Sequence, residues 1–160
     1  MPRRRSCDYK VILKVLKDFI PDISLSSVVL DFEATMWTAF RAVFPDVSLQ
    51  GCVFHLTQAV YRKIADVGLK SAYQKSGAVH EFLRQVLALP FLPAEHIPGA
   101  LDNLDQRATT LVRPVMDYLR ATWSENPMWP VDSWSVFGQA YKRAEEIVCN
   151  HAGKDLQIVE

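Results

Sequence analysis

Only two segments of this 160-residue sequence read as β-strands, and both fall within its first third. Residues 27–31 form a short apolar run, Val28-Val29-Leu30 after Ser27, that ends on the carboxylate of Asp31. Two adjacent β-branched residues in so short a run predict a buried strand. Residues 47–52 read as a second short strand with Gly51 near its end. Between them, Trp37, Phe40 and Phe44 fall at helical spacing, and Phe44-Pro45-Asp46 closes that element. Everything after about Val53 is helical in pattern. Two strands make a poor sheet, because a parallel pair wants further neighbours and cover on both faces. The expected fold is α/β but mostly α: two core strands with an all-helical remainder, and a sheet whose other strands are missing.

The helical segments are read from their apolar spacing. Tyr9, Ile12, Leu13, Leu16 and Phe19 predict a helix over 8–20 that Pro21 stops. Leu56, Val60 and Ile64 form one later stripe, with Gly68 as its C-terminal stop. Phe82, Leu83, Val86 and Leu87 form the next, broken by Leu89-Pro90-Phe91-Leu92-Pro93. A short helix is expected over 94–104, weakened by Pro98 and Gly99, and another over 111–123 carrying Leu111, Val115, Tyr118, Leu119 and Trp123. Residues 124–133, with Pro127 and Pro130, read as a loop, and Phe137, Tyr141, Ala144 and Val148 suggest a last helix.

Composition removes several classes. Hydrophobic residues are 49% and charged residues 22%, so there is enough apolar surface to offset chain entropy. Eighteen basic residues balance eighteen acidic ones, which disfavours a strongly basic nucleic-acid binder and an acidic tail protein. The three cysteines, Cys7, Cys52 and Cys149, are too few for a disulfide scaffold and suggest a reducing compartment. The basic start is followed by no apolar core of a secretory signal, and no run nears the roughly 18 apolar residues of a membrane helix. A soluble, intracellular protein without membrane contact or a small-molecule substrate is expected.

Three features could carry chemistry. Asp31 ends a strand, the place where α/β sheets position ligands, and Glu33 follows two residues on. Hard divalent cations favour such oxygen donors. The plainer reading makes Asp31 the N-cap of the next helix and Glu33 a first-turn acid favoured by the helix dipole. Cys52-x-x-His55 has half of a zinc spacing, but His80, His96, Cys149 and His151 supply no second half. Its plainer reading is a buried thiol and a hydrogen-bonded imidazole at a strand-to-helix junction. Arg3, Arg4, Arg5, Lys10, Lys14 and Lys17 stand against Asp8 and Asp18, giving residues 1–20 a net charge of plus four that could touch phosphate or be a solvated face. A second weak patch is Tyr61-Arg62-Lys63 with Lys70. Trp37 and Trp123 lie on apolar stripes and read as core, whereas Trp129 and Trp134 border the proline-rich loop and fit either core packing or base stacking.

Taken in order, Val28-Val29-Leu30-Asp31-Phe32-Glu33, Ala39-Phe40, Phe44-Pro45 and Gly51-Cys52-Val53-Phe54-His55-Leu56-Thr57-Gln58-Ala59 resemble the transposase domain of Mutator-like elements. Gly68-Leu69, Tyr73, Leu87-Ala88-Leu89-Pro90-Phe91-Leu92-Pro93, Tyr118 and Trp123 extend the likeness, which covers residues 8–137. It divides the chain into a basic segment over 1–7, a partial transposase domain over 8–137 and a divergent helix and tail over 138–160. The resemblance implies a partial RNase H-like fold with a helical insertion. It makes Asp31 the second acid of a DDE triad and a Mg²⁺ ligand, and matches Cys52 and His55 to a C-x-x-H motif of open role. It implies metal-dependent phosphoryl transfer at DNA, with water or a 3′-hydroxyl attacking a phosphodiester. Arg3, Arg4, Arg5 and Lys10 are the expected DNA contacts, and a nuclear location follows, otherwise a cytoplasmic one. Measured against the family, the first three strands with the first catalytic Asp, and the Arg-Thr-Asn-Asn stretch with its Glu, have no counterpart here. The chain alone is therefore expected to lack transposase activity, to hold no metal tightly, and to self-associate or need the missing segments. The alternative is a helical protein-interaction module with no nucleic-acid role.

Overall fold

The computed structural model describes residues 5–20 and 25–138. Helix α1 (Ser6–Phe19) leads into strand β1 (Ser27–Leu30). Helix α2 (Ala34–Val43) then crosses to strand β2 (Ser48–Gly51). The two strands pair in parallel, Ser27 beside Ser48 through Leu30 beside Gly51. The chain is thus mostly helical around a two-stranded parallel sheet, as its apolar pattern predicts. β1 begins at the expected Ser27 and stops one residue short of Asp31, and β2 is one residue shorter at each end than the expected 47–52, because pairing and not hydropathy sets their limits.

Gly51 has a packing reason. The ring of Phe32 occupies the space where a Cβ at residue 51 would stand. Helix α1 packs on α2 through Tyr9 and Leu13, against Ala39, Phe40, Val43 and Phe44. Tyr9 Oη donates to the Glu33 carboxylate at 3.3 Å near the start of α2, and Lys17 Nζ donates to the Val43 carbonyl at 3.0 Å near its end. The two helices therefore run in the same direction.

The larger core lies in the helices that follow. Helix α3 (Val53–Asp66) ends in a Schellman motif, with Gly68 at φ +79°, Gly68 N–H donating to Ala65 and the buried Leu69 N–H donating to Ile64. Gly68 is the stop that the sequence predicts. Helices α4 (Lys70–Gln74) and α5 (Ala78–Ala88) follow, then a 3₁₀ turn over Leu89–Phe91.

The expected helix over 94–104 is instead a 3₁₀ turn, Ala94–His96, continuing into α6 (Ile97–Arg107). Pro98 supports this helix, because it sits in the first turn where no intrahelical N–H is needed. The expected helix over 111–123 begins only at α7 (Arg113–Leu119), again with a first-turn proline, and closes in a π-helical turn over Arg120–Ser124. Leu111 lies outside it and is exposed. The 124–133 loop contains a single 3₁₀ turn, Val131–Ser133. Leu56, Val60, Ile64, Leu83, Val86, Leu101, Val115, Leu119 and Trp123 share one core with Trp134, which is fully buried. The expected last helix around Tyr141 and Val148 lies outside the described residues, apart from Phe137, which is exposed.

Candidate functional site around Asp31

Parallel pairing brings the C-terminal ends of β1 and β2 side by side, and the Leu30 carbonyl accepts the Cys52 N–H at 2.8 Å. Asp31 follows β1 directly, and Cys52 occupies the N-cap position of α3. The first turn of α3 then carries His55 back toward Asp31. His55 Nδ1 lies 3.5 Å from Asp31 Oδ1, with the two side chains 40% and 58% exposed. That distance is too long for a hydrogen bond. It is short enough for a protonated imidazole and the carboxylate to attract one another, weakly in so exposed a place. The nitrogen itself is shielded from solvent and has no hydrogen-bond partner in the structure.

Asp31 does not cap α2. Its Oδ1 accepts the N–H of the next residue, Phe32, at 2.7 Å, and the N-cap position belongs to Glu33. Glu33 makes no side-chain cap bond either. Its carboxylate accepts from Tyr9 Oη and, at 2.6 Å, from Thr35 Oγ1. The two acids that stand close in sequence thus serve different surroundings: Glu33 ties α1 to α2, and Asp31 stands with His55 at the sheet's end.

An aromatic cluster fixes the backbone beneath Asp31. Trp37 Nε1 donates to the Asp31 carbonyl at 2.8 Å. The Phe32 ring stacks on Trp37 and meets Trp123 and Trp129 edge-on, at centroid distances of 4.7 and 5.6 Å. Arg41 lies over Trp37 and donates to the Met128 carbonyl at 2.9 Å, pinning the 126–129 loop to α2. Trp129 and Trp134 accordingly belong to packing, Trp129 in this cluster and Trp134 in the helical core.

The residue that the sequence reading missed is Gln50. It is buried, and its Nε2 donates to the carbonyls of Ser133 and Ser135 at 2.7 and 3.0 Å, holding the 133–135 segment against β2. An amide within a predicted buried strand was the available signal, since a buried polar group needs partners.

The remaining candidates are dispersed. Arg3 and Arg4 lie outside the described residues. Arg5 is exposed at the N-cap position of α1, and Lys10 is half-buried on that helix. Lys17 is engaged with Val43 and Phe44, so part of the basic run is structural. Lys63 of the second patch lies over the Tyr118 ring, and Tyr61 meets Tyr73 edge-on. Burial pushes the Tyr73 hydroxyl above its ordinary pKa, with Arg84 opposing and Tyr61 assisting.

A Mg²⁺ pair needs several oxygen donors converging on two ions. Among the described residues no three His, Cys, Asp or Glu side chains are grouped to hold a metal. Asp31 and His55 offer one carboxylate and one nitrogen, and Glu33 is turned to Tyr9 and Thr35. The residues described do not fit a two-metal centre. Cys52 is a free, half-buried thiol at the junction. No helix among the described residues is long and apolar enough to cross a membrane. No family model matches the chain, and no curated protein or solved structure matches it either.

Proposed function

We propose that this chain is a transposase-derived protein, resembling the DDE phosphoryl-transfer domain of Mutator-like elements, that contacts DNA without cleaving it. The observation that carries the reading is Asp31 at the C-terminal end of a strand in a parallel pair, with His55 of the C-x-x-H motif beside it. A partial RNase H-like arrangement, with α3 to α7 as the helical insertion, accounts for the order of the elements. Asp31 takes the position of the second triad acid and of a Mg²⁺ ligand in a complete centre. Without other convergent carboxylates, a lone acid of a unit that acts together retains almost none of the rate. Phosphate contact falls to Arg3, Arg4, Arg5 and Lys10, and the site of action is nuclear.

The test is a titration of fluorescent duplex DNA with the 160-residue chain at several salt concentrations, paired with a plasmid-nicking assay in Mg²⁺ or Mn²⁺. Binding is expected at low salt. Replacing Arg5 and Lys10 together by Ala should lower the slope of log K against log salt by about 2. No nicking is expected. Absence of binding at low salt overturns the DNA reading in favour of the interaction module, and nicking lost in Asp31→Ala overturns the non-catalytic one.

A further inference from the structure

Charge is placed unevenly in the helical half. Residues 53–88 carry five basic side chains, Arg62, Lys63, Lys70, Lys75 and Arg84, against Asp66 and Glu81, a net charge of plus three. Residues 89–138 carry three arginines against six acids, a net charge of minus three. Those three arginines are already engaged: Arg113 pairs with Asp105 at 2.7 Å, Arg120 with Asp102 at 2.6 Å, and Arg107 donates to Gln85 and Asn103. Arg62, Lys70, Lys75 and Arg84 are exposed, and among the described residues none of them is in an ion pair.

The fold divides the run Tyr61-Arg62-Lys63. At about 100° per residue, Tyr61 and Lys63 leave α3 roughly 160° apart. Lys63 turns to the Tyr118 ring of α7. Tyr61 turns to α4 and α5, where its ring lies 5.6 Å from that of Tyr73, which in turn lies 5.4 Å from His80. Tyr73 packs against the helical core and roots this row of three rings. Tyr61 and His80 flank it, half-buried and outside that core. His80 Nδ1 donates to the Tyr73 carbonyl, which fixes the imidazole. The unpaired cations border the row. Arg62 follows Tyr61, Lys70 and Lys75 bracket Tyr73 at the two ends of α4, and Arg84 stands one helical turn beyond His80, near enough to Tyr73 to oppose the rise in its hydroxyl pKa.

We infer that this surface of α3, α4 and α5 binds single-stranded DNA, its cations taking the phosphates and Tyr61 and His80 the base faces. The inference deepens the reading of the chain as a DNA-contacting protein, and rests on it. Unpaired cations beside an acidic neighbour region draw a polyanion to this side of the molecule. Ring faces between those cations select the form of the polyanion. A duplex keeps its base faces stacked inside, whereas an unpaired strand offers one to each aromatic side chain while its backbone follows the charge. An acidic peptide would meet the cations and leave the rings unused.

Fluorescence anisotropy on the full chain tests it, with a labelled oligothymidylate of about 15 nucleotides, a duplex of equal length and polyglutamate of equal charge. The oligothymidylate is expected to bind at low salt and to resist displacement by polyglutamate. Arg62→Ala with Arg84→Ala, both at exposed positions, should leave the melting temperature unchanged and lower the slope of log K against log salt by about 1.4, since each phosphate contact on a single strand contributes about 0.7. Tyr61→Ala should weaken binding about tenfold, and Tyr61→Phe, which keeps the ring face, should bind like the parent chain. Loss of oligothymidylate binding in these variants of a chain that binds no duplex supports the inference while overturning duplex contact. Oligothymidylate binding that survives all of them but falls in Arg5→Ala with Lys10→Ala overturns the inference and leaves the DNA reading standing. Duplex binding without oligothymidylate binding does the same. Polyglutamate that binds as tightly as the oligothymidylate overturns the role of the rings, and with it the inference.

Discussion

The helical half and the N-terminal half of this chain solve the same burial problem to different extents. Helices α3, α5, α6 and α7 enclose Ile64, Leu83, Ile97, Leu101, Val115 and Met116 almost completely, and the 131–136 segment seals them with Trp134. Among the described residues, the separate core of the N-terminal half holds Leu13, Ala39 and Val43, and its other large buried side chain, Trp37, stacks on Phe32 toward the helical half. Val29 of β1 is half exposed, and one face of α1 is open. The sheet explains part of the difference. Ser26 and Leu30 offer their carbonyls to Ser48 and Cys52, so by strand alternation the amides of Ser27 and Val29 point to the opposite edge. That edge pairs with no strand among the described residues. A helix bundle closes on itself, whereas a parallel pair depends on neighbours. Stability and site geometry should therefore be borrowed from the helical half, through Trp37, Phe32 and Gln50.

The largest test of that dependence is Trp134→Ala. It empties the centre of the helical core and should cost about 3–5 kcal/mol in urea unfolding. A loss below about 1 kcal/mol would mean that the helical half does not carry the fold. Gln50→Leu keeps the volume but strands the carbonyls of Ser133 and Ser135, and should cost about 1–3 kcal/mol. If it is neutral, the tie between the sheet and the 133–135 segment is not energetic. The smallest effect is alkaline. The Tyr73 hydroxyl has its pKa raised by burial, so the unfolded chain ionises first as pH passes the ordinary value of about 10. The associated stability is present below that pH and is lost as pH rises through the folded-state value. Tyr73→Phe should flatten the alkaline decline in melting temperature.

How much the sequence discloses follows the same division. Periodicity locates α1, α2, α3 and α5, both strands and the Gly68 stop, because each rests on local spacing or on one backbone conformation. It misplaces the start of α6, where Pro98 reads as a weakening residue but sits in the first turn, and it begins the last described helix at Leu111, two residues before α7 starts with Pro114 in its first turn. At the site, the strand-end position of Asp31 and the helix-start position of His55 are legible from the pattern, yet their approach to 3.5 Å depends on the strand register. The plain N-cap reading of Asp31 fails because the chain extends two further residues before α2 begins. Gln50 with Ser133 and Ser135, and Phe32 with Trp129, join residues far apart in sequence, and no local pattern announces them.

Amide hydrogen exchange on the full chain tests the unequal halves most directly, because it reads the opening free energy segment by segment. The expected result is that amides of α3, α5 and α7 exchange only through global unfolding. The Ser27 and Val29 amides should exchange fastest within the strands, and α1 should open at a lower free energy than the helical core. Uniform protection, with α1 and the β1 edge as slow as α3 and α5, would contradict the account.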